Sequence, residues 1–144
     1  MKRSVRWIAV VAVLLLLAGG TLMAHQIFDL FGVRARACEQ VLTDTAAPVT
    51  GVLSAEADCS MQFGGGWQRQ ELRLSAATLD EAYPIVEQVL KALASEREVE
   101  NVWSTPQVYE LTNGTTLRSL DRLGFNGPPN VADVRSHYGI QPVR

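Results

Sequence analysis

The first part of the chain is a long run of apolar residues. Residues 7–24 contain no charged side chain, and 15 of these 18 residues are apolar. Crossing the hydrocarbon core of a bilayer takes about 17–25 helical residues, so the run is long enough for a transmembrane helix. Lys2, Arg3 and Arg6 precede it, and basic residues tend to remain on the cytoplasmic side. The pattern predicts a signal-anchor helix that leaves the tail 1–6 in the cytoplasm and the rest of the chain outside.

A cleaved signal peptide is the alternative interpretation of the same segment. Such a peptide has the same order of charges and a shorter apolar core, of about 7–15 residues. Small residues at positions 18–20 offer a cleavage site near Gly20. Apolar residues continue beyond that site, which favours the uncleaved anchor, but secretion after cleavage stays open.

The clearest strand pattern covers residues 49–63. Apolar or small side chains occupy the odd positions, and polar ones occupy the even positions except Val52. A period of two predicts one buried and one exposed face, as in an antiparallel sheet. Three glycines at 64–66 predict a turn, and residues 67–75 then predict the partner strand.

Three segments have the apolar spacing of amphipathic helices: residues 26–43, 79–97 and 131–138. Thr78 and Glu81 match a capping box for the second helix. Pro84 complicates this start, and with Asp80 as the cap instead it would fall in the first turn. Asn130 is typical of the cap that begins the third helix.

Further strands are predicted between the last two helices. Residues 99–104 and 107–112 have strand composition, and Asn113-Gly114 predicts a two-residue hairpin that returns through 115–118. The order of elements indicates an α+β, two-layer domain in which helices pack on one face of an antiparallel sheet.

The chain therefore divides into four predicted parts. They are a basic cytoplasmic tail (1–6), a transmembrane helix (7–24), a juxtamembrane linker with the first helix (25–43), and an extracytoplasmic α+β domain (44–144).

The only cysteines, Cys38 and Cys59, both follow the apolar run. In an oxidising compartment the simplest interpretation is one disulfide. The chain carries 13 basic and 15 acidic residues, and its first 24 residues hold three of the basic ones and no acidic one. The outer domain is thus distinctly acidic, which argues against a nucleic-acid partner because such binding needs a basic patch.

Candidate chemistry is sparse. Asp133 and His137 stand four residues apart on the last helix, so a carboxylate could orient an imidazole there, although such a pair is more often an exposed surface pair. Three aromatic residues could form a surface for a ligand or partner, although core packing is the more common role: Trp67, Trp103 and Tyr109. No catalytic motif, metal-ligand set or cofactor motif is present in the sequence, and no catalytic residue, metal or cofactor is expected.

These patterns lead us to expect a single-pass, membrane-anchored extracytoplasmic domain that is not an enzyme. It would bind a partner protein or a component of the cell envelope, and it would contact the membrane through residues 7–24. Two alternatives remain: a small secreted or anchored hydrolase with a site that the sequence does not reveal, and a secreted structural envelope protein.

Overall fold

The computed structural model describes residues 30–62 and 65–142 of the chain. The chain divides into two compact units, residues 1–34 and 35–144. Only residues 30–34 of the first unit are described, and they are helical. The predicted transmembrane helix at 7–24 lies outside the described residues. Within the described ranges, no helix is long and apolar enough to cross a membrane.

The described residues have an α+β fold with three α-helices and a four-stranded mixed sheet. In chain order the elements are α1 (residues 30–46), β1 (Val52–Gln62), β2 (Gly65–Leu74), α2 (Leu79–Ser95), β3 (Val108–Glu110), β4 (Thr116–Leu117), a 3₁₀ turn (Asp121–Leu123) and α3 (Val131–Tyr138).

The sheet order is β1-β2-β3-β4, with two antiparallel pairs and one parallel pair between β2 and β3. The prediction of an antiparallel sheet is therefore wrong at its centre. The chain leaves β2, passes through α2 and returns before β3, so both strands run in the same direction. Such a crossover is the usual way to connect parallel neighbours.

The strand predicted at 99–104 is also wrong. These residues form turns, and only Ser104 makes an isolated bridge, to Asn130. The segment finds its backbone partners at the start of α3 instead of in the sheet, since the N–H of Val131 donates to the Trp103 carbonyl (3.0 Å) and the N–H of Thr105 donates to the Pro129 carbonyl (3.1 Å).

Along β1 the predicted alternation is confirmed from Ala55 onward and fails before it. The register with β2 shifts between Val52 and Ser54, which is a bulge. A bulge inserts an extra residue and reverses the parity of what precedes it. As a result Val52 packs against the core and Leu53 is 60% exposed, the opposite of the expected sides. The last residue of the predicted strand and the first predicted turn glycine, 63 and 64, lie outside the described residues.

The hairpin between β3 and β4 has a three-residue loop instead of the predicted two-residue one. The Leu111 N–H donates to the Thr115 carbonyl (2.8 Å), and the Gly114 N–H donates back to the Leu111 carbonyl (2.9 Å). The two-residue turn of an Asn-Gly pair needs positive φ at both residues. Here Gly114 has φ +81° and no described non-glycine residue has a positive φ, so Asn113 does not take that conformation.

The helix caps match the sequence predictions. Thr78 caps α2 and forms a complete capping box with Glu81, so Pro84 lies beyond the first turn of the helix. Asn130 forms the same reciprocal pair with Asp133 at the start of α3. α1 ends three residues later than predicted, at residue 46, and α2 ends two residues earlier, at Ser95.

One hydrophobic core joins the three helices to one face of the sheet. The disulfide between Cys38 of α1 and Cys59 of β1 is confirmed, and both cysteines are buried. Gly51, just before β1, has φ +95°, and a Cβ at this position would lie 2.6 Å from Cδ1 of Ile85 on α2. Close helix packing and a left-handed backbone conformation therefore both require glycine here.

Candidate functional site

The three aromatic residues predicted as a surface do not lie on one surface. Trp67 is 50% exposed, whereas Trp103 is 7% and Tyr109 is 1% exposed. Tyr109 is buried because it pairs with Leu72 and Leu117 on the inner face of the sheet, and both of those neighbours are buried. Only Trp67 is accessible to a partner, so Trp103 and Tyr109 must be removed from the predicted surface.

The structure gives Asp133 and His137 separate partners. The Asp133 carboxylate accepts the N–H of Asn130 (3.2 Å) as part of the capping box. The His137 ring packs against Phe125 and Tyr138, with centroid distances of 4.6 and 4.7 Å. In the part of the chain that the structure describes, no hydrogen bond or ion pair joins Asp133 to His137. The role of this pair, for which the sequence favours two surface residues over half of a catalytic site, stays a prediction.

The outer face of the sheet carries a ladder of charged side chains. On β1 and β2 these side chains lie at cross-strand positions, Glu56 opposite Glu71 and Asp58 opposite Arg69. Arg69 Nη2 lies 2.6 Å from Glu71 Oε1, so this guanidinium is used within its own strand. Like charges directly opposite each other are unfavourable, and Glu56 faces Glu71 without any ion-pair partner among the described residues.

The charged ladder continues onto β3. Arg73 of β2 pairs in register with Glu110, and Arg73 Nε lies 3.8 Å from Glu110 Oε2. Exposed ion pairs of this kind contribute about 0–1 kcal/mol each, so they add little to stability. The ladder contains four carboxylates and two guanidinium groups, and its excess of negative charge is concentrated on β1.

Two of the depressions among the described residues lie on this charged face. The larger, of about 240 Å³, is lined by Glu56, Ala57, Asp58, Arg69 and Glu71. The smaller, of about 80 Å³, lies beside it and reaches β3 at Val108 and Glu110. The combination of charge and a sheet surface that no described helix covers makes this face, with Trp67 on the same side of β2, the candidate binding site.

A buried polar centre that the sequence did not reveal holds β2 to the segment before β3. The Gln107 side chain accepts the Gln70 N–H through Oε1 (2.8 Å) and donates through Nε2 to the Thr105 carbonyl (2.5 Å). Gln70 is fully buried, and its Nε2 donates to the Leu42 carbonyl of α1 (3.1 Å). No residue type in this cluster is distinctive, so only the fold identifies it.

Two buried side-chain atoms of this region have no hydrogen-bond partner among the described residues: Gln70 Oε1 and the Tyr109 hydroxyl oxygen. Burial raises the pKa of Tyr109 far above its usual range. The phenol therefore stays neutral in the folded protein at any ordinary pH. Among the described residues, no group of three or more His, Cys, Asp or Glu side chains could hold a metal ion.

Comparison of the chain with protein-family models, with curated proteins and with solved structures gives no match.

Proposed function

We propose that this protein is a single-pass, membrane-anchored extracytoplasmic domain, without catalytic activity of its own, that binds a partner protein or a component of the cell envelope. The observation that carries the proposal is the buried disulfide between Cys38 and Cys59. Disulfides persist in oxidising compartments and are rare in the cytosol. The apolar run 7–24, preceded by basic residues, supplies the anchor and the orientation in this proposal.

The binding part of the proposal rests on the uncovered face of the sheet. In a two-layer arrangement the helices cover one face only, and α1 lies on the inner face because Gln70 reaches its Leu42 carbonyl. The opposite face exposes Trp67, Glu56 and Asp58. An exposed tryptophan is typical of interface residues, since it offers large contact area at a small cost in side-chain entropy.

Protease accessibility tests the location of the domain. A tag placed after Arg144 should be digested by protease added to intact cells, and the full-length chain should remain with the membrane fraction. Protection of the tag would contradict the orientation. A soluble form that begins near residue 21 would replace the anchor with a cleaved signal peptide.

Site-specific crosslinking tests the binding face. A photo-crosslinking amino acid at position 67 should give a discrete adduct in intact cells, because Trp67 lies on the proposed face and is 50% exposed. Position 102 is the matched control, since Val102 is 77% exposed but lies in the turn region outside the sheet. Equal adducts at both positions, or none at position 67, would contradict the proposed face.

A further inference from the structure

One long edge of the described sheet, along β1, has backbone groups that point away from the neighbouring strand β2. Among the described strands, β1 is the first in the sheet order and pairs with β2 alone. Its Ala57 lies opposite Gln70, whose N–H and carbonyl are both bonded to Gln107 on the other side of β2. In an antiparallel pair such residues do not bond each other, so the N–H and carbonyl of Ala57 point away from β2. Ala55, two residues earlier, has the same orientation.

The edge is interrupted at two points, and the backbone between them is open. At one point the bulge between Val52 and Ser54 bends the strand, as bulges do at many sheet edges. At the other point the Glu39 side chain of α1 accepts the Cys59 N–H through Oε1 (3.2 Å). Across the described ranges, no hydrogen bond from another segment reaches the backbone of residues 55 or 57. The free edge is therefore Ser54–Asp58.

The charge beside the free edge selects among possible occupants. Glu56 and Asp58 are exposed on the outer face, and neither has an ion-pair partner among the described residues. A second copy of β1 added along this edge would place carboxylates next to carboxylates, which is unfavourable. A strand with basic side chains at the same positions would instead pair with both acidic groups. Its alternate side chains would lie on the side of Ala55 and Ala57 and would need to be small and apolar.

We propose that the free edge Ser54–Asp58 accepts an extended, basic segment of a partner protein as a fifth strand. This inference rests on the proposed partner-binding function and specifies how the partner is held. Main-chain hydrogen bonds to residues 55 and 57 would hold the segment, and the carboxylates of Glu56 and Asp58 would favour basic side chains in it. Strand addition to an exposed sheet edge is an established way for proteins to bind extended peptides.

Peptide binding to the purified full-length chain in detergent tests the inference. The probe is a fluorescent hexapeptide of alternating lysine and valine, compared with one of alternating glutamate and valine. Lysine side chains would form two opposite-charge pairs with Glu56 and Asp58, where glutamate side chains would form two like-charge pairs. The lysine peptide should therefore bind at least about fivefold more tightly than the glutamate peptide. A lysine peptide that is N-methylated at alternate backbone nitrogens, on the side that would pair, should lose binding. Equal binding of the methylated peptide would overturn the inference, because charge alone would then explain the attraction.

Two variants locate the binding on the edge. Glu56→Lys/Asp58→Lys should reverse the preference, so that the glutamate peptide binds more tightly than the lysine peptide. The control Glu98→Lys/Glu100→Lys makes the same charge change outside the sheet. It should keep the original preference for the lysine peptide. Ala57→Pro should abolish binding of both peptides, since proline removes the outward N–H and costs no bond to β2. Circular dichroism verifies folding of each variant. If Ala57→Pro unfolds the chain, the charge reversal alone decides.

The peptide-binding result can fail without failure of the proposed function, which the crosslinking experiment at position 67 tests. An unchanged peptide preference in Glu56→Lys/Asp58→Lys would overturn strand addition, and so would self-association of the wild-type chain that Ala57→Pro removes. In either case a specific adduct at position 67 in intact cells would still support partner binding by the outer face. Loss of that adduct is the result that counts against the proposed function itself.

Discussion

Removal of the Tyr109 hydroxyl should stabilise the protein. The tyrosine is 1% exposed, and its hydroxyl oxygen has no hydrogen-bond partner in the part of the chain that the structure describes. Tyr109→Phe keeps the ring that packs in the core and deletes only this oxygen. Because a buried hydroxyl without a partner costs about 1–3 kcal/mol in mutational data, we expect the free energy of unfolding to rise by about 1 kcal/mol or more.

The pH dependence of stability gives a second, independent signature. Burial raises the pKa of Tyr109, while the unfolded chain releases the phenol proton near the usual pKa of about 10. Above that pH the unfolded state binds fewer protons than the folded state, so stability falls as pH rises. The slope from one such group is about 1.4 kcal/mol per pH unit. Titration of Tyr109 therefore leaves the free energy of unfolding unchanged below pH 10 and lowers it as the pH rises above that value.

Urea unfolding followed by tryptophan fluorescence measures both effects, at pH 7 and at pH 11. Tyr109→Phe should raise the midpoint at pH 7 with an unchanged denaturant slope, and it should reduce the loss of stability between the two pH values. Tyr138→Phe is the control at pH 7, because Tyr138 is only partly buried and its change should stay within about 0.5 kcal/mol. A lower stability of Tyr109→Phe at pH 7 would refute the reasoning, since it would mean that the hydroxyl has a favourable partner.

Three further changes test the fold by the same unfolding assay. Cys38→Ala/Cys59→Ala should lower the free energy of unfolding by about 3 kcal/mol, because the disulfide joins residues 21 positions apart and restricts the unfolded chain. Equal stability of this variant would show that the crosslink does not constrain the unfolded chain. Gly51→Ala should cost more than Gly114→Ala, because both glycines have positive φ but only the first meets another side chain, and equal costs would exclude the clash. Asn130→Ala should cost about 1 kcal/mol through loss of the cap on α3, and an unchanged midpoint would contradict that role.

Local features of the fold could be predicted where neighbouring residues determine them. Thr78 and Asn130 begin their helices as the sequence indicated, since each cap and its third-position partner lie within one turn. The disulfide could be predicted from the number of cysteines, because the chain has two and both lie after the apolar run. The alternation of residues 55–61 likewise gave the correct buried side of β1.

The candidate site could be predicted only in part. Trp67 was identified by residue type and is exposed, but Trp103 and Tyr109 have the same aromatic character and are buried. The charged face depends on which residues β2 places beside Glu56 and Asp58 and on which residue β3 places beside Arg73. Neither register is visible in a single sequence. The free edge exists because β1 is the outermost strand of the described sheet, and the strand order is set by tertiary contacts.

The sequence by itself determined the helix caps, the disulfide and the α+β class, because these depend on residue spacing within short segments. The tertiary structure decided that β3 runs parallel to β2, that Leu53 turns outward at a bulge, and that Gln107 holds β2 from 37 residues away. Each of these results depends on contacts between distant segments. A period of two shows that a strand has a buried side, but only the packed neighbours decide its direction, its register and its free edge.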